Sequence, residues 1–363
     1  MVKKINLTLP KHWNACTVEQ LELISNVMLE QVKKQDRYHP FSMQNVKIAL
    51  FFALSGIEIV EGPNPRVPVE EQYYTCRMTD HHSWWYSHCS RRFNVGHQDE
   101  TFSLYLWQIN YWLSPQTNVQ AKGKNSIEAM TAGAGVLDWL DNDNGDMLTR
   151  FPYEFVRRRE RGKWYTFKQT FRGPERDLNG FSWAQYRLAT DAMSSYTELS
   201  NALVQMKQMR KFSPEQMAKQ EQSVDMAKSL FLATIFIAKT NYVDTNTQVI
   251  KHDYHYESNQ ITDNAEYFRN FPDDKWQVIL FWWTGILHTL SKRYPHLFKV
   301  KKIDKNKKPD SPLSIYTATI ATMQKYAGLT EDQVNNESYS LVLEQLERLT
   351  KENEEIERMR HKK

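Results

Sequence analysis

The chain of 363 residues has few of the cysteines on which small secreted folds depend. Its three cysteines, Cys16, Cys76 and Cys89, cannot all pair, and Met1 is followed by no apolar stretch of the kind that directs secretion. We therefore expect a cytoplasmic protein without a disulfide framework. A chain of this length is sufficient for about two or three domains, each with its own hydrophobic core.

Glycine is also scarce, at 12 residues, and the short motifs that identify many enzymes are missing. The sequence contains no phosphate-binding G-x-x-x-x-G-K-[ST], no G-x-G-x-x-G, no G-x-S-x-G and no H-E-x-x-H. We therefore expect no catalytic residues and no cofactor, although carboxylates brought together only by folding would leave no trace in the sequence. The predicted class is a non-enzymatic protein.

Long apolar runs and a strong charge of one sign are missing as well. The longest apolar runs, residues 230–238 and 278–290, fall short of the roughly 20 residues that cross a bilayer. Each therefore predicts a buried helix, and no membrane contact is expected. The net charge is only +4, and residues 299–308 alone hold six lysines against one aspartate. Basicity is thus a local property of this chain.

Capped amphipathic segments predict a mainly α fold, a multi-helix bundle with a small β element. Capping boxes pair a Ser or Thr with a Gln three residues later: Thr17 and Gln20, Ser182 and Gln185, and Ser213 and Gln216. Apolar residues at helical spacing predict helices over 18–32, 42–54, 102–113, 126–140, 182–196, 213–239, 274–293, 313–327 and 336–360. Alternating apolar and polar residues predict short strands near 57–60, 70–78 and 164–171.

Breaks in composition divide the chain into five predicted regions. They fall at a Pro- and Gly-rich stretch near residue 62, at the Asp- and Asn-rich residues 141–146 and at the lysine run. The regions are an N-terminal helical hairpin (1–60), an aromatic-rich α+β region (61–145), a central helical domain with the strand 164–171 (146–298), a basic linker (299–312) and C-terminal helices (313–363).

Residues 76–97 contain six side chains of the types that bind zinc: Cys76, His81, His82, His88, Cys89 and His97. Structural zinc sites place each pair of ligands two to five residues apart in a regular pattern. Here the second cysteine directly follows a histidine, and neighbouring ligands rarely bind one ion. We therefore predict no metal site and interpret the histidines as partners of an aromatic cluster.

A basic island follows the predicted break at 141–146 and lies beside Trp164 and Tyr165. It consists of Arg157, Arg158, Arg159, Arg161 and Lys163. Such residues can neutralise phosphates, so the island is a candidate basic patch for nucleic acid. A solvated turn or a contact with an acidic protein is the favoured interpretation, and nucleic acid is not the expected partner.

The C-terminal segment contains the clearest pattern for an interaction between chains. Apolar or amide side chains recur at steps of three and four: Tyr339, Val342, Leu346, Leu349, Asn353 and Ile356. Asn353 takes a position at which a buried amide can fix the register and number of chains. Two interpretations are open: the helix folds back on its own domain, or it binds a second copy or another protein.

Three segments suggest a family: residues 9–14 (LPKHWN), 171–179 (FRGPERDLN) and 320–328 (IATMQKYAG). In this order they resemble proteins encoded among the tail-morphogenesis genes of tailed bacteriophages and of prophages of gut bacteria. The resemblance implies a tail assembly chaperone-like factor that holds a tape-measure or other tail protein in the host cytoplasm, and it implies no catalytic residue. The alternative is a nucleic-acid-associated protein of a mobile element that uses the basic patch.

Overall fold

The computed structural model describes residues 9–35, 41–78, 101–113, 137–140, 147–159, 168–209, 212–243, 249–299 and 312–361. Helices dominate these residues, and the strands form small antiparallel sheets. The predicted mainly α fold class with a small β element is therefore confirmed. The chain forms two compact units, residues 1–148 and residues 149–363. Among the described helices, none is both long and apolar enough to cross a membrane.

The first unit begins with two helices, α1 (Val18–Lys34) and α2 (Met43–Ser55). The start of α1 and the end of α2 lie where the sequence predicts a capping box and a terminal glycine. The hydroxyl of Thr17 accepts from the backbone N–H of Gln20, and the Gln20 side chain accepts from the backbone N–H of Thr17. Gly56 ends α2 in the left-handed conformation, at a φ of 71°, which glycine adopts readily because it has no Cβ.

A three-stranded antiparallel sheet follows α2 in the order β1-β2-β3. The strands are β1 (Ile57–Glu61), β2 (Tyr73–Met78) and β3 (Phe102–Tyr105). The first two match the strands predicted near 57–60 and 70–78. The helix predicted over 102–113 is wrong at its start, because Leu104 is buried while Ser103 and Tyr105 are exposed, an alternation typical of a strand. Helix α3 (Leu106–Trp112) begins only after β3.

The second unit contains a four-stranded antiparallel sheet in the order β4-β5-β6-β7. Its strands are β4 (Phe155–Arg158), β5 (Gln169–Arg172), β6 (Ile237–Val243) and β7 (Ile250–Tyr254). β5 overlaps the strand predicted over 164–171, of which residues 164–167 lie outside the described residues. The helix predicted over 213–239 is too long: it ends at Ile235, because Ala238 pairs with Phe171 of β5.

The structure describes seven helices in the second unit, one of which contributes several tryptophans to the core. They are α4 (Trp183–Met209), α5 (Pro214–Ile235), α6 (Ile261–Phe268), α7 (Asp273–Arg293), α8 (Pro312–Ala327), α9 (Glu331–Asn336) and α10 (Tyr339–His361). Trp276, Trp282 and Trp283 of α7 are buried, and Phe231 of α5 meets Trp283 edge-on with 5.2 Å between ring centroids. Aromatic contacts thus pack α5 against α7.

Backbone contacts join the predicted regions in pairs. Pairing of β1 with β2 links residues 1–60 to residues 61–145. In the second unit the N–H of Trp183 donates to the carbonyl of Glu337 at 2.7 Å, which links the predicted central domain to the C-terminal helices. The border between the units, after Leu148, follows the predicted break at 141–146.

Candidate functional site

The first half of α10 is packed against its own unit. We call the six residues predicted at steps of three and four, from Tyr339 to Ile356, the seam. Within this half Val342 is fully buried, Leu349 is buried and Leu346 is partly exposed. These side chains already have apolar neighbours within the chain. The interpretation in which the helix folds back on its own domain therefore applies to this half.

Tyr339, the first seam residue, has a specific contact at each end of its side chain and is 4% exposed. Its ring stacks on Tyr186 of α4 with 5.2 Å between centroids. Its hydroxyl donates to the backbone oxygen of Asp177 at 2.6 Å. The hydroxyl is protonated at neutral pH and can donate, and burial raises the pKa of Tyr339 further, to about 12.

Residues 350–361, which we call the distal half of α10, continue the helix beyond this packing. Asn353 is exposed, Ile356 is 43% exposed and Met359 is 61% exposed. Ion pairs one turn apart, such as Arg358 with Glu354 at 3.7 Å, favour the helical form of an exposed segment. The last two seam residues, Asn353 and Ile356, are thus accessible to another chain.

Acidic side chains tie α10 to the turn that follows α7. Glu347 accepts from the backbone N–H groups of His296 and Leu297, at 3.1 and 2.8 Å. Glu354 accepts from Nζ of Lys299 at 3.1 Å, and its other carboxylate oxygen lies 3.0 Å from Nδ1 of His296. The hydrogen bonds from Lys299 and His296 hold the pKa of Glu354 below its usual value. Glu354 is therefore a polar clamp at the start of the distal half.

Arg158, one member of the basic island, is used within the fold. Its guanidinium donates to the backbone oxygens of Tyr267 at 3.1 Å and Arg269 at 3.3 Å, and it lies 5.2 Å from the centre of the Phe271 ring. Partial burial lowers the pKa of Arg158 from its usual value. This arginine joins β4 to the end of α6 and is not a surface contact for phosphate.

The other members of the island are divided between two parts of the chain. Arg157 and Arg159 are described and exposed. Arg161 and Lys163 lie outside the described residues. Arg157 and Arg158 lie in β4, where they pair with Thr170 and Gln169 of β5, so these two residues do not form the solvated turn that was one of the two favoured interpretations. The other interpretation, a contact with an acidic protein, stays a prediction.

A second exposed helical surface was missed by the sequence analysis. Helices α4 and α5 form an antiparallel hairpin, which Lys207 and Glu221 bridge with an ion pair of 2.9 Å. Near the turn three large apolar side chains are exposed, and we call them the hairpin tip: Val204, Met209 and Phe212. The available signal was a set of apolar residues just before the predicted helix start at Ser213, where a turn would favour polar residues.

The candidate zinc ligands are mostly outside the described residues: His81, His82, His88, Cys89 and His97. Cys76 is fully buried in β2, and burial raises the pKa of its thiol, which makes the metal-binding thiolate less available. Within the described ranges no three His, Cys, Asp or Glu side chains are grouped as metal ligands would be.

Comparisons with family models, with curated proteins and with solved structures find no match to this chain. Two candidate surfaces in the described part of the chain are the distal half of α10 and the hairpin tip, and both have exposed large apolar side chains.

Proposed function

We propose that this protein is a non-enzymatic assembly factor that acts through protein–protein contacts. The observation that supports the proposal is the distal half of α10. The helix continues for about three turns past Leu349, and Ile356 and Met359 are exposed along it. An exposed helix with apolar side chains one turn apart is a common docking element, because it can enter an apolar groove or pair with a second helix.

The resemblance suggests the setting in which such contacts act. The protein is a tail assembly chaperone-like factor of a bacteriophage or prophage, and it holds a tape-measure or other tail protein in the cytoplasm of the host during virion morphogenesis. A long helical partner suits an exposed helix, since two helices bury apolar side chains along their whole contact. The hairpin tip gives the chain a second helical surface for the same partner.

Co-purification tests the proposal. The protein is expressed with the product of a neighbouring gene that encodes a long coiled coil, and the amount of captured partner is measured. Replacing both Ile356 and Met359 with Glu is expected to reduce capture at least about tenfold, because charges would then be buried in an apolar contact. Thermal unfolding should not change, since both side chains are exposed in the folded chain.

Ile315 of α8 provides a matched control, because it is an exposed isoleucine on another helix. The change Ile315→Glu is expected to leave capture intact. Equal loss of capture in the control, or full capture in the Ile356→Glu, Met359→Glu variant, would contradict a role for the distal half.

A further inference from the structure

A cleft in the second unit has the composition of a receptor for acidic groups. Its volume is about 350 Å³, which is within the range of ligand sites. Three arginines line it, Arg150, Arg172 and Arg176, against two glutamates, Glu154 and Glu175. The lining arginines therefore outnumber the lining glutamates by one, before the neighbouring carboxylate of Asp177 is counted.

The walls of the cleft are held by packing and by backbone hydrogen bonds. The ring of Phe151 meets Trp282 edge-on with 4.5 Å between centroids and packs on Phe236 at 5.4 Å. The N–H of Gly173 donates to the carbonyl of Glu154 at 2.8 Å. A Cβ at Gly173 would lie 2.3 Å from the Phe151 ring and from the backbone oxygen of Tyr153, so the close approach requires glycine.

The loop that presents the arginines is also fixed. Asp177 and Leu178 both have positive φ, at 56° and 57°, which is unfavourable for residues other than glycine. Leu178 is fully buried, and the Tyr339 hydroxyl holds the backbone oxygen of Asp177. A loop held in this way loses little conformational freedom when a ligand binds.

The arginine side chains can still reach a ligand. Nη2 of Arg172 donates to Glu175 at 2.7 Å. A guanidinium has five N–H donors, so this hydrogen bond uses only part of the donor capacity of Arg172. Arg176 is the more exposed, at 87%, and its Nε lies 3.6 Å from the Asp177 carboxylate. The Glu175 carboxylate, which belongs to the chain itself, therefore occupies one of the donors that a ligand carboxylate would use.

We propose that this cleft binds the carboxylates of an acidic segment in a protein partner; the inference rests on the proposed function in so far as that partner is a protein. Glu154 and Glu175 in the lining would repel a strand with a phosphate at every nucleotide. A peptide avoids this repulsion, because its carboxylates can be spaced and its backbone N–H groups can donate to the two glutamates. Phe151, Pro152 and Pro174 offer apolar surface to the side chains between the acidic residues.

The test uses a short fluorescein-labelled peptide in which glutamate alternates with leucine, and the same peptide with glutamine. Fluorescence anisotropy with the full chain should show binding of the first peptide, weaker binding at high salt and little binding of the second. Arg172→Gln and Arg176→Gln are each expected to weaken binding about tenfold, since each removes charge-assisted hydrogen bonds. Arg157→Gln, the same change at an exposed arginine of β4, should leave it unchanged.

A variant with the opposite expected effect separates binding from folding. Glu175→Gln removes the internal competitor for Arg172 and adds no new contact, so it should tighten peptide binding several-fold. A merely damaged loop would weaken binding instead. Equal binding by wild type and both arginine variants, or tighter binding of an oligothymidine strand through the same arginines, would overturn the proposal.

The two proposals can fail separately. The Ile356→Glu, Met359→Glu variant should bind the acidic peptide as wild type does, because neither residue lines the cleft. If this variant loses the coiled-coil partner while the arginine variants retain both partner and peptide, the cleft proposal fails and the proposed function stands. If peptide binding depends on the arginines and no tail protein is captured, the cleft proposal stands and the proposed function fails.

Discussion

The two halves of α10 have one apolar pattern and two environments. Tyr339 and Val342 lie in the core of the second unit, whereas Asn353 and Ile356 are exposed on the same helix. The spacing of three and four residues is unchanged between them. A seam pattern therefore predicts that a helix has an apolar face, and the rest of the fold decides whether that face is covered by the same chain.

The largest expected effect is at the start of the helix. Tyr339→Ala should lower the free energy of unfolding by about 3–5 kcal/mol, because it removes a buried ring and the hydrogen bond to Asp177. Urea unfolding followed by circular dichroism measures this. Ile356→Ala in the distal half is the matched change and should cost less than about 0.5 kcal/mol. Similar losses of unfolding free energy from the two changes would contradict the difference in burial between the two halves.

A second prediction locates the border between the halves. Leu349→Ala should lower the free energy of unfolding by about 2–3 kcal/mol, whereas Leu346→Ala should cost roughly 1 kcal/mol because this side chain is already partly exposed. Urea unfolding of the two variants measures both losses of unfolding free energy and hence their ratio. A larger loss at Leu346 would show that another surface covers it in solution.

The clamp at Glu354 should make the order of the distal half depend on pH. The pKa of Glu354 is lowered in the folded chain, so its stabilising contribution is present above the ordinary carboxyl value of 4.5 and is lost as the pH falls through the folded value. Amide exchange over residues 351–358, corrected for the intrinsic rate, should become faster at about pH 3 than at neutral pH. Glu354→Gln should remove this dependence, and Glu355→Gln should retain it.

The smallest expected effect on stability comes from Asn353→Leu. Asn353 is exposed in the single chain, so the free energy of unfolding should change by less than about 0.5 kcal/mol. If distal halves pair between copies, the change should instead raise stability and alter the number of chains, which sedimentation velocity measures. An unchanged sedimentation coefficient would favour a different protein as the partner.

Helix starts were predictable because the interactions that define them are local. The hydroxyl of Thr17 and the hydroxyl of Ser213 each accept from a backbone N–H three residues later, and both capping boxes are visible in the sequence. Strands β3, β4, β6 and β7 were not predicted, because the pairing of a strand depends on residues elsewhere in the chain. Residues 237–239 even fit the apolar pattern of the preceding helix, until Ala238 is paired with Phe171.

The candidate sites were predictable to the same limited extent. The seam was visible, but the contact of Tyr339 with Asp177 spans 162 positions and could not be read from spacing. Arg158 looked equivalent to Arg157, and its role depends on carbonyl groups more than 100 positions away. The arginine cleft lies within a segment that the sequence singled out, residues 171–179, yet its charge balance also depends on Arg150 and Glu154.

Strand β7 is one of the two outermost described strands of the second sheet, and Ile250 at its start is 71% exposed. An open strand edge can recruit further strands, and charged residues are a common protection against this. Lys251 and Asp253 place such charges within β7, so that copies stacked in parallel register would bring like charges together. Replacing both with Val would give an apolar edge of high β propensity, and the protein should then aggregate into fibrils although its folded core is intact.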